Sequence, residues 1–491
     1  MIRPVDPLLR PLLRTAALAL SLATAALVLS LSTVALAQSD PLGSWRGALG
    51  PGVIDLAIRV TITPAETGAG LDGTIDIPAQ GFIGYPLVNV VQVGDALSFA
   101  VPGIPGDPVF DGAIDGDRIE GTFEQGGQVL AFVLERDLEP AALRPQEPLP
   151  PYPYGEEEVA FASSDITLAG TLTLPPGDAL VPALLLITGS GPQDRNEEVF
   201  GHKPFLVIAD HLTRAGYAVL RVDDRGVGGS TGSDAQATYR DLVGDALAAV
   251  ALLRAHQRVD PERIGVLGHS QGGRLAPQAV LAADGDIAFA ILLAGPAVDG
   301  FSVLVAQNER IIELRMRAAD PSVSDHAVAG AIADQVAFLQ ALRSLLEAEN
   351  LDGARALVRQ RVETQLEALP DGVTVQEIVE AQQAALTSAV FRAFVFDDPQ
   401  PFLRRLTVPT LALFGSLDTQ VLAEQNEDRM REALAAAANP DATVITFPGL
   451  NHLMQPAITG ISDEYAAIET TIDPAVLETI TQWLQERFPS R

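Results

Sequence analysis

Three side chains in this sequence can be joined into one proton-transfer row. Ser270 sits in Gly268-His269-Ser270-Gln271-Gly272, a match to G-x-S-x-G. A serine hydroxyl is a weak nucleophile until a base takes its proton, and that base is normally a histidine held by a carboxylate. Arg263 to Leu267, before the motif, reads as a short buried strand; Arg274 to Ala283, after it, reads as a helix. Between a strand and a helix the motif makes a sharp turn that lifts the hydroxyl clear of a sheet. Glycines are expected there because a Cβ would block the neighbouring chain. The five residues alone are also compatible with plain turn chemistry, so the rest of the chain decides.

A serine on such a turn is followed by its acid and then its base. Thr410-Leu411-Ala412-Leu413-Phe414-Gly415-Ser416-Leu417-Asp418 gives a buried strand, a turn and a carboxylate. Beyond Asp418 one histidine remains, His452, in Pro448-Gly449-Leu450-Asn451-His452 after the apolar run Val444–Phe447. Asp418 is also placed to cap a helix beginning near Val421, and His452 is also readable as an ordinary loop histidine. All three in the required order favour the row. His269 should point away from Ser270 and pack or cap. His202, His211, His256 and His326 precede the acid and fit the order badly, though His202 stays open as a pocket-lining residue. Charge developing on an attacked carbonyl oxygen needs donors. The backbone N–H of Gln271 is one; Thr188-Gly189-Ser190-Gly191-Pro192 should supply the other, from Ser190, with Gly191 as its neighbour.

The elements that must position these residues begin with an address. Arg3, Arg10 and Arg14 precede an uncharged, mostly apolar Ala16–Ala37, and Ala35-Leu36-Ala37 offers the small residues of a cleavage site. Residues 1–37 therefore read as a signal peptide, with an uncleaved anchor as the alternative, and an extracytoplasmic (periplasmic or secreted) location is expected. Residues 38–138 read as an all-β domain. Ile54 to Ile62 alternates apolar and polar, and similar runs follow, punctuated by Asp72-Gly73, Gly94-Asp95, Asp115-Gly116 and Gly126-Gly127 as hairpin turns. An antiparallel meander, barrel or sandwich, is expected. Asp107, Asp111, Asp115, Asp117 and Glu120 crowd one region, as a calcium site or as solvated turn carboxylates; their spacing does not fit the EF-hand loop.

Six prolines between Pro140 and Pro153 mark residues 139–157 as a stiff, extended linker. Strand-like runs then alternate with helical ones. Pro182–Thr188, Tyr217–Val222, Ile264–Leu267, Phe289–Leu293 and Thr410–Phe414 are continuously apolar, as strands buried on both faces are. The alternation gives core segments at 158–300 and 407–491. It stops over 301–406, which reads as an all-helical insertion whose place between two strands suggests a cap. The last helix is expected over Pro474–Phe488.

The chain has 491 residues and a formal charge of −31, with 47% apolar residues. That length implies two or three domains, and an acidic surface argues against nucleic acid as a partner. The absence of cysteine excludes disulfides and thiolate chemistry; six scattered histidines without ligand spacing leave no metal site expected.

Four motifs in order carry a resemblance. They are Gly189-Ser190-Gly191-Pro192-Gln193-Asp194-Arg195, Asp223-Asp224-Arg225-Gly226-Val227-Gly228-Gly229-Ser230, Gly268-His269-Ser270-Gln271-Gly272-Gly273 with Ala276-Pro277, and Asp418 with His452. From about Val159 onward the chain resembles the α/β-hydrolase superfamily. More narrowly it is similar to bacterial extracytoplasmic carboxylesterases with an N-terminal β-domain. The resemblance implies a mostly parallel sheet with a helical cap insertion, Ser270 as nucleophile, His452 as general base and Asp418 as its orienter. It also implies that Asp224 and Arg225 brace the loop beside the site. The expected activity is cleavage of a small-molecule carboxylic ester through an acyl-enzyme, with no cofactor and no membrane contact beyond the signal segment. A serine peptidase, or a non-catalytic binding protein on the same fold, are the alternatives.

Overall fold

The structure is a computed structural model that describes residues 40–50, 56–65, 70–77, 82–102, 108–125, 128–137, 144–233, 237–365, 375–387 and 389–490. The expected signal peptide, Ile54, Asp107, Gly126-Gly127 and Pro140 lie outside the described residues. Contacts divide the chain into two units. One holds residues up to Ala141 together with Ser344–Ser388; the other holds Ala142–Arg343 and Ala389–Arg491. The stretch expected as a single helical cap is thus shared between them.

In the first unit nine strands run β1 (Gly43–Leu49), β2 (Leu56–Pro64), β3 (Leu71–Ile77), β4 (Phe82–Pro86), β5 (Val88–Val93), β6 (Ala96–Ala100), β7 (Val109–Asp115), β8 (Arg118–Gln125) and β9 (Gln128–Arg136). They pair antiparallel in the order β4-β3-β2-β1-β9-β8-β7-β6-β5. The two end strands are consecutive in the chain and joined through Leu87, whose N–H donates to Gly73 O at 2.8 Å. The sheet therefore returns on itself as a barrel. Alternation explains its filling: in β2, Leu56, Ile58, Val60 and Ile62 are buried while their neighbours are less so. Phe110 packs against Phe99, Phe123 and Phe132, with ring centroids 4.7–5.2 Å apart. Trp45 is buried, donates from Nε1 to Pro41 O at 2.8 Å, and is covered by the Arg136 guanidinium 4.1 Å from its ring.

Asp72-Gly73 is not a turn. It lies inside β3, with Gly73 opposite Ile62. A Cβ there would come within 2.9 Å of Thr61 O, so the glycine serves close strand approach, not chain reversal. Of the acidic cluster, Asp117 binds Arg136 at 2.8 Å and Glu120 binds Arg118, so these carboxylates are engaged in surface ion pairs.

The second unit is built on eight strands: β10 (Gly155–Ser163), β11 (Ile166–Leu174), β12 (Val181–Ile187), β13 (Ala218–Val222), β14 (Val259–His269), β15 (Phe289–Leu293), β16 (Thr410–Gly415) and β17 (Ala442–Phe447). The order is β10-β11-β13-β12-β14-β15-β16-β17, parallel from β13 to β17 and antiparallel at β10 and β11. Its helices are α1 (Pro204–Arg214), α2 (Tyr239–Ala255) and α3 (Gln271–Ala282), then α4 (Gly300–Ala319) and α5 (Asp325–Glu347), which runs into the first unit. After α6 (Leu351–Gln365) and α7 (Val375–Leu386) of the first unit come α8 (Ala389–Phe396), α9 (Gln400–Leu403), α10 (Ala423–Ala436) and α11 (Pro474–Arg487). Among the described residues no helix is long and apolar enough to cross a membrane.

The continuous apolar runs follow from burial on both faces. Ala183 and Leu185 of β12 face a core shared with α2, α3 and α10, while Leu184 and Leu186 face one shared with α1 and α11. β15 divides likewise, Ala290 and Leu292 one way and Phe289, Ile291 and Leu293 the other. The proline-rich segment is no free spacer in its described part. Arg144 donates to the carbonyls of Gly201, Ala466 and Ile468 at 2.9 Å, and Gln146 Oε1 accepts from the N–H of Thr471 at 2.7 Å.

Candidate active site

The site is assembled at the ends of β14 and β16 and on the loop after β17. Ser270 follows the last residue of β14 and adopts φ 53°, ψ −113°, a strained conformation for a residue with a Cβ, costing on the order of 1–3 kcal/mol. It survives because the turn is fixed on every side. The Ser270 N–H donates to Leu293 O at 2.9 Å. A Cβ on Gly268 would strike the Gly272 carbonyl, and one on Gly272 would strike Ile187 O, so another residue would push α3 from β14 at the first position and from β12 at the second. The helix α3 starts at once, aiming its free first amides at the space beside the hydroxyl.

β16 ends at Gly415, and a turn closed by Asp418 N–H to Gly415 O at 3.1 Å places the Asp418 carboxylate. One of its oxygens accepts from the N–H of Gln420 and Val421 at 2.7 and 2.8 Å. The other faces His452 Nδ1 at 2.8 Å. The residue thus both caps a turn and holds a ring; the helix α10 itself begins later, after Leu422. His452 rides on a loop stiffened by buried Asn451, whose Oδ1 accepts from the N–H of Leu453 and Gln455 at 3.0 and 2.9 Å. With Nδ1–H donated to the carboxylate, His452 Nε2 is left to accept from Ser270 Oγ, 3.0 Å away. Asp418 and His452 are buried, and Ser270 is half-buried.

Ser190 and Gln271 stand on the loop after β12 and at the first residue of α3. The Gly189 N–H is already committed, donating to Glu197 Oε1 at 2.6 Å. That leaves Ser190, whose side is exposed, as the next amide along. The loop is braced as expected for Asp224, which accepts from Thr188 Oγ1 at 2.8 Å and Gln193 N–H at 2.9 Å. Arg225 bonds Asp245. A second brace stands beside it: Arg195 grips Asp223 through Nε at 3.0 Å and Nη2 at 2.8 Å. Burial works against the Asp223 charge, but the guanidinium and the amides of Gly229 and Arg195 hold its pKa below the usual range.

Two histidines differ from their sequence readings. His202 does not line a pocket: it is fully buried, with Nδ1 on Thr471 Oγ1 and Nε2 on Tyr465 O, both at 3.0 Å. Burial lowers its pKa to about 4. His269 does point away from the hydroxyl, but into a specific contact, with Nδ1 on Glu197 Oε1 at 2.9 Å and Nε2 on the His452 carbonyl at 3.0 Å. Glu197 belongs to no motif, and its only sequence signal is its place close behind the oxyanion loop.

Against known proteins, residues 204–354 match the family model described as serine aminopeptidase, S33. That span holds Ser270 but ends before Asp418 and His452. Esterase EstD of Thermotoga maritima is 27% identical over 372 residues, covering 74% of this chain and 75% of that protein. The chain has the α/β-hydrolase fold and is similar to hydrolases of that superfamily. The quorum-quenching protein AidA of Acinetobacter baumannii is 30% identical to this hydrolase over 165 residues, 33% of this chain and 49% of that one. A solved esterase of Pyrococcus furiosus aligns with a TM-score of 0.39 at 14% identity, covering 68% of this hydrolase and 92% of that chain.

Proposed function

We propose that this hydrolase cleaves small-molecule carboxylic esters by a serine mechanism. The observation that carries the reading is the row Ser270 Oγ, His452 Nε2, His452 Nδ1, Asp418 Oδ2, with gaps of 3.0 and 2.8 Å. His452 takes the Ser270 proton as Oγ attacks the ester carbonyl. The oxygen of the tetrahedral intermediate is held by the N–H groups of Gln271 and Ser190. His452 then passes its proton to the departing alkoxide, which leaves as an alcohol and gives an acyl-Ser270. Water, deprotonated by the same ring, repeats the attack and releases the acid. Asp418 keeps the ring in the tautomer that presents Nε2 to the serine. Nothing in this sequence of steps calls for a metal or a cofactor. The apolar run before Gln38 supports an extracytoplasmic site of action, which fractionation of cells producing the full chain would test.

The experiment is turnover of p-nitrophenyl acetate to p-nitrophenyl decanoate by the purified protein. Ser270→Ala should lower kcat by roughly 10⁵-fold or more with the fold retained by circular dichroism. A fluorophosphonate probe should label the wild type and not the variant; wild-type turnover in Ser270→Ala overturns the reading. The peptidase-named family match favours a second reading, hydrolysis of aminoacyl amides. Aminoacyl p-nitroanilides in the same assay decide between them, through the ratio of kcat/KM for anilide and ester.

A further inference from the structure

Outside the proton-transfer row, one buried carboxylate links the loop after β12 to the residue beside Ser270. Glu197 Oε1 accepts from the Gly189 N–H at 2.6 Å and meets His269 Nδ1 at 2.9 Å. The far nitrogen of that ring, His269 Nε2, donates to the backbone carbonyl of His452 at 3.0 Å. The oxyanion loop, the turn bearing Ser270 and the loop bearing the base are thereby tied through two side chains. The approach is close: a Cβ on Gly189 would lie 3.0 Å from Glu197 Oε1 and 3.5 Å from Ser270 Cβ. Glu197 holds φ 53° to reach this place, a left-handed conformation that a glutamate keeps only when its surroundings fix it. Both side chains are at least nine-tenths buried.

We infer that Glu197 and His269 are positioning residues, a strut that sets the spacing between the oxyanion donor at Ser190 and the general base His452. The inference rests on the proposed serine mechanism. Its physical basis is that the hydrogen bonds of the row from Ser270 to Asp418 fix the base relative to the nucleophile but do not reach the loop that supplies Ser190. The Glu197 carboxylate makes that contact. It also consumes the Gly189 amide, so the donor register of the loop starts at Ser190. Displacing reacting groups by about 1 Å can cost about 10²-fold in rate, and loss of the strut frees the loop and the base to move independently.

The strut also sets an ionisable ring beside the base. The groups facing His269 are Glu197, His452 and, beyond it, Asp418; those facing His452 are Asp418, Ser270 and His269, with Tyr465 close by. Burial opposes charge on His269, but Glu197, together with the His452 carbonyl, raises its pKa above the ordinary value. Its ring centroid is 4.9 Å from that of His452.

The test uses the full chain and p-nitrophenyl butyrate, with Tm and circular dichroism on every variant. Glu197→Ala should lower kcat about 10²-fold with KM within about threefold, because placement in the transition state is lost and substrate binding is not. Glu197→Gln keeps an acceptor oxygen for the Gly189 N–H and should regain about tenfold of that loss. His269→Gln should lower kcat about tenfold or more with KM within about threefold, since the link to the His452 loop is cut. A kcat for Glu197→Ala within about threefold of wild type overturns the strut. So does a kcat for His269→Gln that falls only with the folded fraction. If Glu197→Ala does not fold, Glu197→Gln and His269→Gln decide on the same criteria. Ser270→Ala in parallel separates the two ideas: retained turnover there condemns the serine mechanism itself, whereas loss there with normal Glu197 variants condemns only the strut.

Discussion

His202 shows what a buried, uncharged ring does to pH dependence. Its folded pKa is lowered to about 4 by burial, against about 6.5 in an unfolded chain. Between those values the unfolded state takes up a proton that the folded state refuses, so stability falls as pH drops from about 6.5 toward 4 and is fully present above. Denaturant midpoints measured across that window should fall in the wild type and flatten in His202→Gln, which keeps polar contacts to Thr471 and Tyr465 without titrating. Asp418→Asn makes a different prediction. The amide cannot enforce the tautomer that presents Nε2 to Ser270, so kcat should fall about 10³–10⁴-fold with little change in Tm. Chain order and turn chemistry suffice to pick out Ser270, Asp418 and His452, the residues whose side chains stand in one hydrogen-bonded row. Glu197 is illegible by the same means, because its role comes from a left-handed backbone and a buried contact rather than from spacing.

Among the elements, legibility follows burial. β15 lies at the boundaries its apolar pattern gives, since a strand buried on both faces has no other reason for its composition. β10 goes unread because Glu156, Glu157 and Glu158 line an edge strand, where charge is tolerated and discourages pairing with another chain. β7 is hidden similarly by Asp111 and Asp115 on its outer face. The helices have a fastening of their own. Arg274 of α3, four residues after Ser270, is buried and faces Asp397 at 3.0 Å while donating to Val298 O at 3.1 Å. Gly300 N–H donates to Asp397 O at 3.1 Å. One guanidinium thus secures the chain where it leaves the sheet for α4 and where it returns after α8. Removing one member of a buried pair strands the other, at a cost of about 3–5 kcal/mol. Arg274→Met should therefore lose about that much in urea unfolding. Arg274→Met with Asp397→Leu should recover most of it; no recovery would show that the pair is not the source of the loss.

For the molecule as a whole, the barrel and the α/β sheet each bury their own apolar interior. Unfolding in a calorimeter should not be two-state: the measured enthalpy should exceed the van't Hoff value, or two peaks should resolve. A single transition with equal enthalpies would mean that the units melt as one. The chain contains just two tryptophans. Trp45 is enclosed in the barrel and Trp483 lies in α11 against Phe289 of the α/β core. Each unit therefore carries one indole of its own. Replacing Trp45 with Phe leaves an emission that reports the hydrolase core alone, and replacing Trp483 leaves one that reports the barrel. The protein comes supplied with a separate optical probe for each half.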